Sequence, residues 1–252
     1  IENFAKNIIK FNKDIELTIQ ISIDDLPSEH DKVRKIKNLF DSCVDTYKKL
    51  KKIDQRVSPM VSITVSHENC ENIENIFNYL TKDCKIDSLK CTIVRDEGVY
   101  KTPQEKREKI FKAYTWLTNK IQEMTKEKKM NNYNSKSLQG KLHSKKDEIS
   151  WKLVKEMYLK PKYISPCHAG GLFGIISSAG LVYPCEILED KLLGDLRKNQ
   201  MDFMKIWRNQ ATHDVKKFIS KSNCNCTYEC ALTYNILGNW RYQPNLISSI
   251  FY

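Results

Sequence analysis

No run in the 252 residues approaches the roughly twenty consecutive apolar residues of a membrane-spanning helix, so a membrane partner is not expected. The opening Ile1-Glu-Asn-Phe-Ala-Lys6 lacks the basic start and apolar core of a secretory leader. A compact stripe alternating Lys or Arg with aromatics is missing too. The formal net charge of +11 comes from lysines interleaved with Asp and Glu, as across residues 101–129. A lysine-rich solvated surface is expected from that pattern, not a nucleic-acid partner. The nine cysteines are an odd number, and without a leader no disulfide framework is expected. What remains is a soluble, reduced, cytoplasmic protein. Its length supports one large domain or two modest ones, each with a core.

Five of the nine cysteines lie between Cys167 and Cys230. Cys167 and Cys185 are separated by seventeen residues and bracket a predicted hairpin. Cys224, Cys226 and Cys230 crowd a short loop. Thiolate is a soft ligand, so such a group suits zinc or an iron–sulfur centre. The first pair is too widely spaced for a zinc knuckle. Four thiolates suffice for a [4Fe–4S] cluster and five are offered. Cys167, Cys185 and Cys230 are the first ligand candidates. Cys226 is the fourth, because a three-residue gap lets it face one centre with Cys230. Cys224 is the spare, or exchanges with Cys226. His168 and His213 are possible substitutes, each also readable as a surface or hydrogen-bonded histidine. Glu229 has a local capping or pairing role. Cys43 and Cys91 read as small buried hydrophobes, and Cys70 and Cys84 as structural.

Upstream, β-branched runs predict strands at Glu16–Asp24, Val57–Ser66 and Lys90–Arg95. Apolar residues at intervals of three and four predict helices over Asp31–Lys52, Asn69–Thr81 and Gln104–Glu123. Alternating strands and helices imply right-handed crossovers and a parallel sheet, with chemistry at the carboxyl ends of the strands. Glu123–Ile149 reads as a linker or solvated helical excursion, and Ser150–Leu159 as a short helix. Hairpin strands are expected at Leu172–Ile176 and Leu181–Tyr183, with Ser177–Gly180 as the turn. Gly170, Gly171 and Gly174 are expected to let backbone approach a cluster. Helices over Met201–Ser220 and Ala231–Leu237 follow, then a tail.

The cysteine region resembles the C-terminal auxiliary-cluster domain of radical SAM enzymes, of the SPASM or shorter twitch type. The matching residues are Cys167, Gly180-Leu-Val-Tyr-Pro-Cys185, Gly194-Asp-Leu-Arg197, Ile206-Trp207 and Cys224-x-Cys226-x3-Cys230, in that order. Ser22-Ile-Asp24, continuing to His30-Asp31-x-x-Arg34, is similar to the fourth barrel strand of the same family, with Asp25 where Gly is usual. Thr64-Val-x-x-x-Asn69 and Ile93-Val-Arg95 resemble the fifth and sixth strands. The resemblance implies that Ser22 and Asp24 face the ribose of S-adenosylmethionine, and that Thr64 and Arg95 lie near its polar groups. Turn and capping chemistry accounts equally for Ser22 and Asp24.

The family's Cys-x3-Cys-x2-Cys triple, which holds the reductive cluster, occurs nowhere in this sequence. The expectation is therefore a fragment that begins mid-domain, with Ile1–Lys13 ending a helix and the first strand presenting an exposed edge. The expected fold class is α/β: half of a TIM-like parallel β/α barrel over residues 1–124, a linker or helical excursion over 125–150, a small α+β SPASM or twitch domain with a β-hairpin over 151–240, and a tail over 241–252. The resemblance implies a radical SAM oxidoreductase or maturase. In the full-length protein, S-adenosylmethionine and a reductive [4Fe–4S] cluster would generate a 5′-deoxyadenosyl radical. An auxiliary [4Fe–4S] cluster would sit in the C-terminal domain, and the fragment alone would be inactive. The partners implied are a peptide, sugar or small-molecule substrate and an electron donor such as flavodoxin or ferredoxin. The alternative is a non-catalytic zinc- or cluster-stabilised binding module.

Overall fold

A computed structural model describes residues 1–96, 101–132 and 137–251. Residues 133–136 of the expected linker and Tyr252 of the expected tail lie outside the described residues. The chain forms two compact units, one from Ile1–Val94 with Thr102–Lys145, the other from Arg95–Lys101 with Lys146–Tyr252. Among the described residues no helix is long and apolar enough to cross a membrane.

The first unit is built on three parallel strands in the order β1 (Leu17–Ser22), β2 (Val57–Val65) and β3 (Leu89–Ile93). Leu17 pairs with Val57, and Val65 pairs with Ile93. The pleat sends successive side chains to opposite faces. Val57, Pro59, Val61, Ile63 and Val65 are buried, as are Leu89, Cys91 and Ile93 on the next strand. The opposite face carries Ser22, Ser62, Thr64, Lys90 and Thr92. Helix α1 (Glu2–Phe11) precedes β1. The Arg56 guanidinium donates to the carbonyls of Ile9, Asn12 and Lys13, so a cation closes the helix's C-terminal end.

The helix expected over Asp31–Lys52 is two helices, α2 (Pro27–Arg34) and α3 (Leu39–Leu50). Lys35 and Asn38 adopt left-handed backbone between them, with φ of 56° and 58°. Asp31 holds the break: its carboxylate accepts the amides of Asn38 and Phe40. Val33 and Ile36, which fit the apolar spacing, are exposed as a result. Phe40, Val44, Tyr47 and Leu50 still face inward. The next expected helix begins later, as α4 (Ile73–Asn78), and runs into a wide turn over Tyr79–Asp83. Helix α5 (Arg107–Lys126) follows a 3₁₀ turn at Gln104–Lys106. It packs Ile110, Tyr114, Leu117 and Ile121 inward, as expected.

Helix α6 (Leu138–Tyr158) is a single 21-residue helix where a linker and a short helix were expected. Its first turns are too polar to show an apolar period. The second unit contains an antiparallel sheet of β4 (Ile175–Ile176), β5 (Leu181–Tyr183) and β6 (Gly194–Asp195). The first hairpin strand is shorter than expected. The third strand has no periodic signal because it spans only two residues. Gly180 closes the hairpin turn with φ of 79°, a region where a Cβ is strained.

The helix expected over Met201–Ser220 is divided into α7 (Phe203–Trp207) and α8 (Gln210–Lys221). Asn209 makes the division: its Oδ1 caps α8 at the Thr212 amide (2.9 Å) while its Nδ2 donates to the Leu193 carbonyl (2.8 Å). Helix α9 (Glu229–Leu237) follows, and the expected tail instead contains a 3₁₀ turn at Trp240–Tyr242 and helix α10 (Gln243–Phe251). Val182, Leu193, Leu196, Ile206, Val215 and Ile219 form the core of this unit together with Cys185.

Candidate metal centre

Cys167, Cys224 and Cys226 pack against that core and line one small open pocket. Met157, Leu232 and Asn235 form part of its wall. Two segments supply these sulfurs. Cys167 ends the extended segment after α6, while Cys224 and Cys226 belong to the loop between α8 and α9. The Cys224 thiol and the Cys167 sulfur share a hydrogen bond, which draws the Cys167 thiol down to about 6 against the cost of burial. The Ala169 amide and the Asn235 side chain add to the lowering. Cys224 is pushed up by the same bond, by burial, and by the charges of Cys167, Cys226 and Cys185. The two thiols titrate as a coupled pair.

Cys185 is 6% exposed and follows the hairpin directly. Burial raises its thiol, while the amides of Leu188 and Ile187 donate to its sulfur. Cys185 and Cys167 feel each other's charge, so Cys185 stands in the same sulfur neighbourhood, though it does not line the cavity. Cys230 differs. It is exposed on the first turn of α9 and is hydrogen-bonded to the Tyr228 hydroxyl. Tyr228 is buried, with Glu186 on its hydroxyl and the Arg95 guanidinium 4.4 Å above its ring. Cys224 feels the charge of Cys226 as well as that of Cys167.

Among the described residues no three His, Cys, Asp or Glu side chains converge tightly enough to hold an ion. The sulfurs are neighbours, not a closed coordination sphere. Their chemistry nevertheless fits an iron–sulfur cluster: four thiols in one apolar wall, two of them already receiving backbone N–H donors that favour thiolate. His213 is exposed, and His168 gives its backbone N–H to Asn235 (2.8 Å). A Cβ on Gly174 would lie 2.7 Å from the Trp207 ring, so this glycine admits the α7 indole against the hairpin. Of the other cysteines, Cys70, Cys84 and Cys91 are buried, Cys91 as expected, whereas Cys43 is half-exposed, 3.9 Å from the Ser22 carbonyl.

The second candidate region is the carboxyl end of the parallel sheet. Ser22 is exposed at the end of β1. Asp24 is the hub of the strand ends. Its Oδ1 accepts the Thr64 amide (2.9 Å), its Oδ2 pairs with Arg34, and its carbonyl accepts from Asn69 (2.7 Å). Asn69 also binds the Ser66 amide and the Thr64 carbonyl, tying β2 to the same point. Thr64 Oγ1 lies 3.2 Å from Thr92 Oγ1. Ser62, Thr92 and Lys90 share the face of Ser22 and Thr64, a placement that only the strand register shows. Arg95 is counted with the second unit, where it pairs with Glu186 at 3.0 Å.

His30 is 1% exposed beneath this hub. Its Nδ1 accepts the Asp24 amide, and its Nε2 has no hydrogen-bond partner among the described residues. Burial lowers its pKa, Arg34 lowers it further, and Asp24 and Asp31 oppose this. The unfolded chain therefore binds a proton that the folded one refuses. The stabilising contribution is complete above the unfolded value near 6.5 and is lost as pH falls toward the lower folded value. Urea titrations at pH 7 and pH 5 are expected to show a drop in stability on acidification that is smaller in His30→Phe.

Residues 167–231 match the family model of SPASM, the iron-sulfur cluster-binding domain. Solved structures of similar fold include "Native anSMEcpe with bound AdoMet", with a TM-score of 0.54, 16% identity, and coverage of 100% of this chain and 68% of that one. A histidine-tagged form of anSMEcpe with bound AdoMet gives 0.56 at 16% identity, covering 100% and 69%. "Native anSMEcpe with bound AdoMet and Kp18Cys peptide" gives 0.54 at 14% identity, covering 100% and 73%. No curated protein sequence matches the chain.

Proposed function

We propose that this chain, whose residues 167–231 are matched by a SPASM iron–sulfur cluster-binding domain, is part of a radical SAM enzyme that carries an auxiliary [4Fe–4S] cluster in that domain. The observation that carries the proposal is the sulfur neighbourhood of Cys167, Cys185, Cys224 and Cys226 in the wall of one apolar core. These four are the proposed ligands, and Cys230 is the spare. When bound, such a cluster supplies one-electron redox chemistry. The chain's own part is to present thiolates, donate N–H groups to them and keep water from one side.

The parallel sheet is proposed as the second half of a β/α barrel. Its hydroxyl-bearing face, with Ser22 and Thr64, would meet the cosubstrate S-adenosylmethionine. Asp24 holds those strand ends in register, since both of its carboxylate oxygens are engaged within the fold. Generation of a 5′-deoxyadenosyl radical and the reductive cluster are assigned to the full-length parent, because the Cys-x3-Cys-x2-Cys triple does not occur in these residues. A peptide substrate is the class favoured by the peptide-bound relative, and a flavodoxin- or ferredoxin-like donor would supply electrons.

Anaerobic reconstitution tests the proposal. The expected result is about four iron and four sulfide per chain with a broad charge-transfer absorbance. One zinc per chain and no iron would overturn it in favour of a metal-stabilised binding module.

A further inference from the structure

The turn directly after Cys167 carries an apolar surface on its outer side. The amides of Gly171 and Leu172 both donate to the His168 carbonyl, at 3.0 and 2.9 Å, so the chain reverses at once. Phe173 is thereby buried while Leu172 stays exposed. Phe173 stacks on Tyr234 of α9, with ring centroids 5.0 Å apart. Leu172 lies against Gly238 at the end of the same helix, where an added Cβ would fall 2.4 Å from its Cδ1. Around this joint Tyr234, Leu237 and Trp240 are exposed, Trp240 by 84%. Grouped apolar exposure of this kind marks a binding surface.

The rim carries charge of one sign. The two segments that meet here, 157–185 and 230–252, contain no Asp or Glu. Lys216 runs beside the turn, its Cγ 3.7 Å from where a Gly170 Cβ would stand, and Arg241 follows Trp240. Both cations are exposed. An aromatic centre with a cationic rim is complementary to an acidic protein. His168, the residue after Cys167, touches the same joint, its Cδ2 3.1 Å from the position of a Gly238 Cβ. A partner seated here therefore lies against the turn that bears Cys167.

We propose that Leu172, Tyr234, Leu237 and Trp240, with Lys216 and Arg241, form the docking surface for a small acidic one-electron carrier protein. This rests on the cluster assignment above, since a redox carrier has reason to seat beside Cys167 only if that sulfur holds a redox centre. Carboxylates of the carrier would meet Lys216 and Arg241, and its apolar edge would meet Trp240. Aromatic side chains and Arg are the residue types that anchor such contacts, and the charges around them set the rate of encounter.

The experiment is titration calorimetry of the reconstituted 252-residue chain with two probes, an acidic flavodoxin and an acidic ferredoxin. Circular dichroism and iron analysis accompany every variant. Trp240→Ser is expected to weaken binding by about tenfold or more, as loss of a central aromatic anchor does. Lys216→Glu combined with Arg241→Glu should weaken it as far and remove most of its dependence on ionic strength. Phe11→Ser is the control, because Phe11 is 86% exposed on the other unit and its loss should leave the affinity unchanged. Absence of binding by both probes, or binding that the folded Trp240→Ser and charge-reversed chains retain in full, would overturn the inference and leave the cluster standing. So would a parent chain that self-associates through Trp240, because the surface would then belong to a second copy. A parent chain that takes up no iron would bring down the cluster assignment itself, and the inference with it.

Discussion

A Cys185→Ala chain is expected to emerge from anaerobic reconstitution with most of its iron missing, and its second unit should melt well below that of the loaded parent. Cys185 is buried in the core beside Val182 and Leu193 and already receives the amides of Ile187 and Leu188. Those donors suit a thiolate, and without sulfur they face a methyl group. Two losses follow. Removal of the sulfur leaves a small void costing about 1 kcal/mol. Loss of the cluster removes stabilisation by mass action, about 4 kcal/mol for a ligand a thousandfold above its dissociation constant. The two separate cleanly, since the void acts on cluster-free protein and the larger loss only on loaded protein. Cys230→Ala is the matched control. Its sulfur is exposed and turned to the Tyr228 hydroxyl, so iron content should stay near the parental value. Retained iron in Cys185→Ala, or its loss in Cys230→Ala, would overturn the ligand assignment; iron analysis and thermal melts of both forms decide.

The parallel sheet was legible because its strands alternate cleanly and their apolar face is continuous. Val61-Ser-Ile-Thr-Val65 shows both faces in five residues. The cysteine region was legible through spacing and order, down to Gly180 in the hairpin turn. What could not be read was set by single contacts. Nothing in Lys35-Ile-Lys-Asn38 announces a helix break, as neither Gly nor Pro is present; the break depends on the Asp31 carboxylate reaching the amides seven and nine residues on. Asn209 divides α7 from α8 by binding Leu193, sixteen residues away. Likewise the three-residue gap between Cys226 and Cys230 permits a shared centre in a turn. Cys230 is exposed at the start of α9, while Cys224 lies beside Cys167. Local spacing carries no information about which way a helix will begin.

An Asp24→Ala chain is expected to lose about 3 kcal/mol from the first unit, the second large effect. The side chain is 16% exposed and Arg34 is 41% exposed, so the pair is only partly screened by water. Removing the carboxylate leaves the Thr64 amide without its acceptor at the end of a central strand, and strands the Arg34 charge. Backbone contacts limit the damage: the Asp24 carbonyl still accepts Asn69, and its amide still reaches His30. Asp24→Asn should lose about 1 kcal/mol, since an amide oxygen can still accept Thr64 and only the charged partner is weakened. Hydrogen exchange resolves this locally. The Thr64 amide should exchange on the order of 100-fold faster in Asp24→Ala, because each 1.4 kcal/mol is about a factor of ten in an opening equilibrium, while the amides of α8 in the other unit stay unchanged. Equal exchange at Thr64 in parent and Asp24→Ala would mean that the carboxylate does not brace the strand ends. It would then be free to face a ligand directly, as the family resemblance of Ser22-Ile-Asp24 implies. Protection lost at Thr64 makes Asp24 the tie that holds Ser22 and the β2 hydroxyls at the sheet's carboxyl edge, with contact to any ligand left to those hydroxyls.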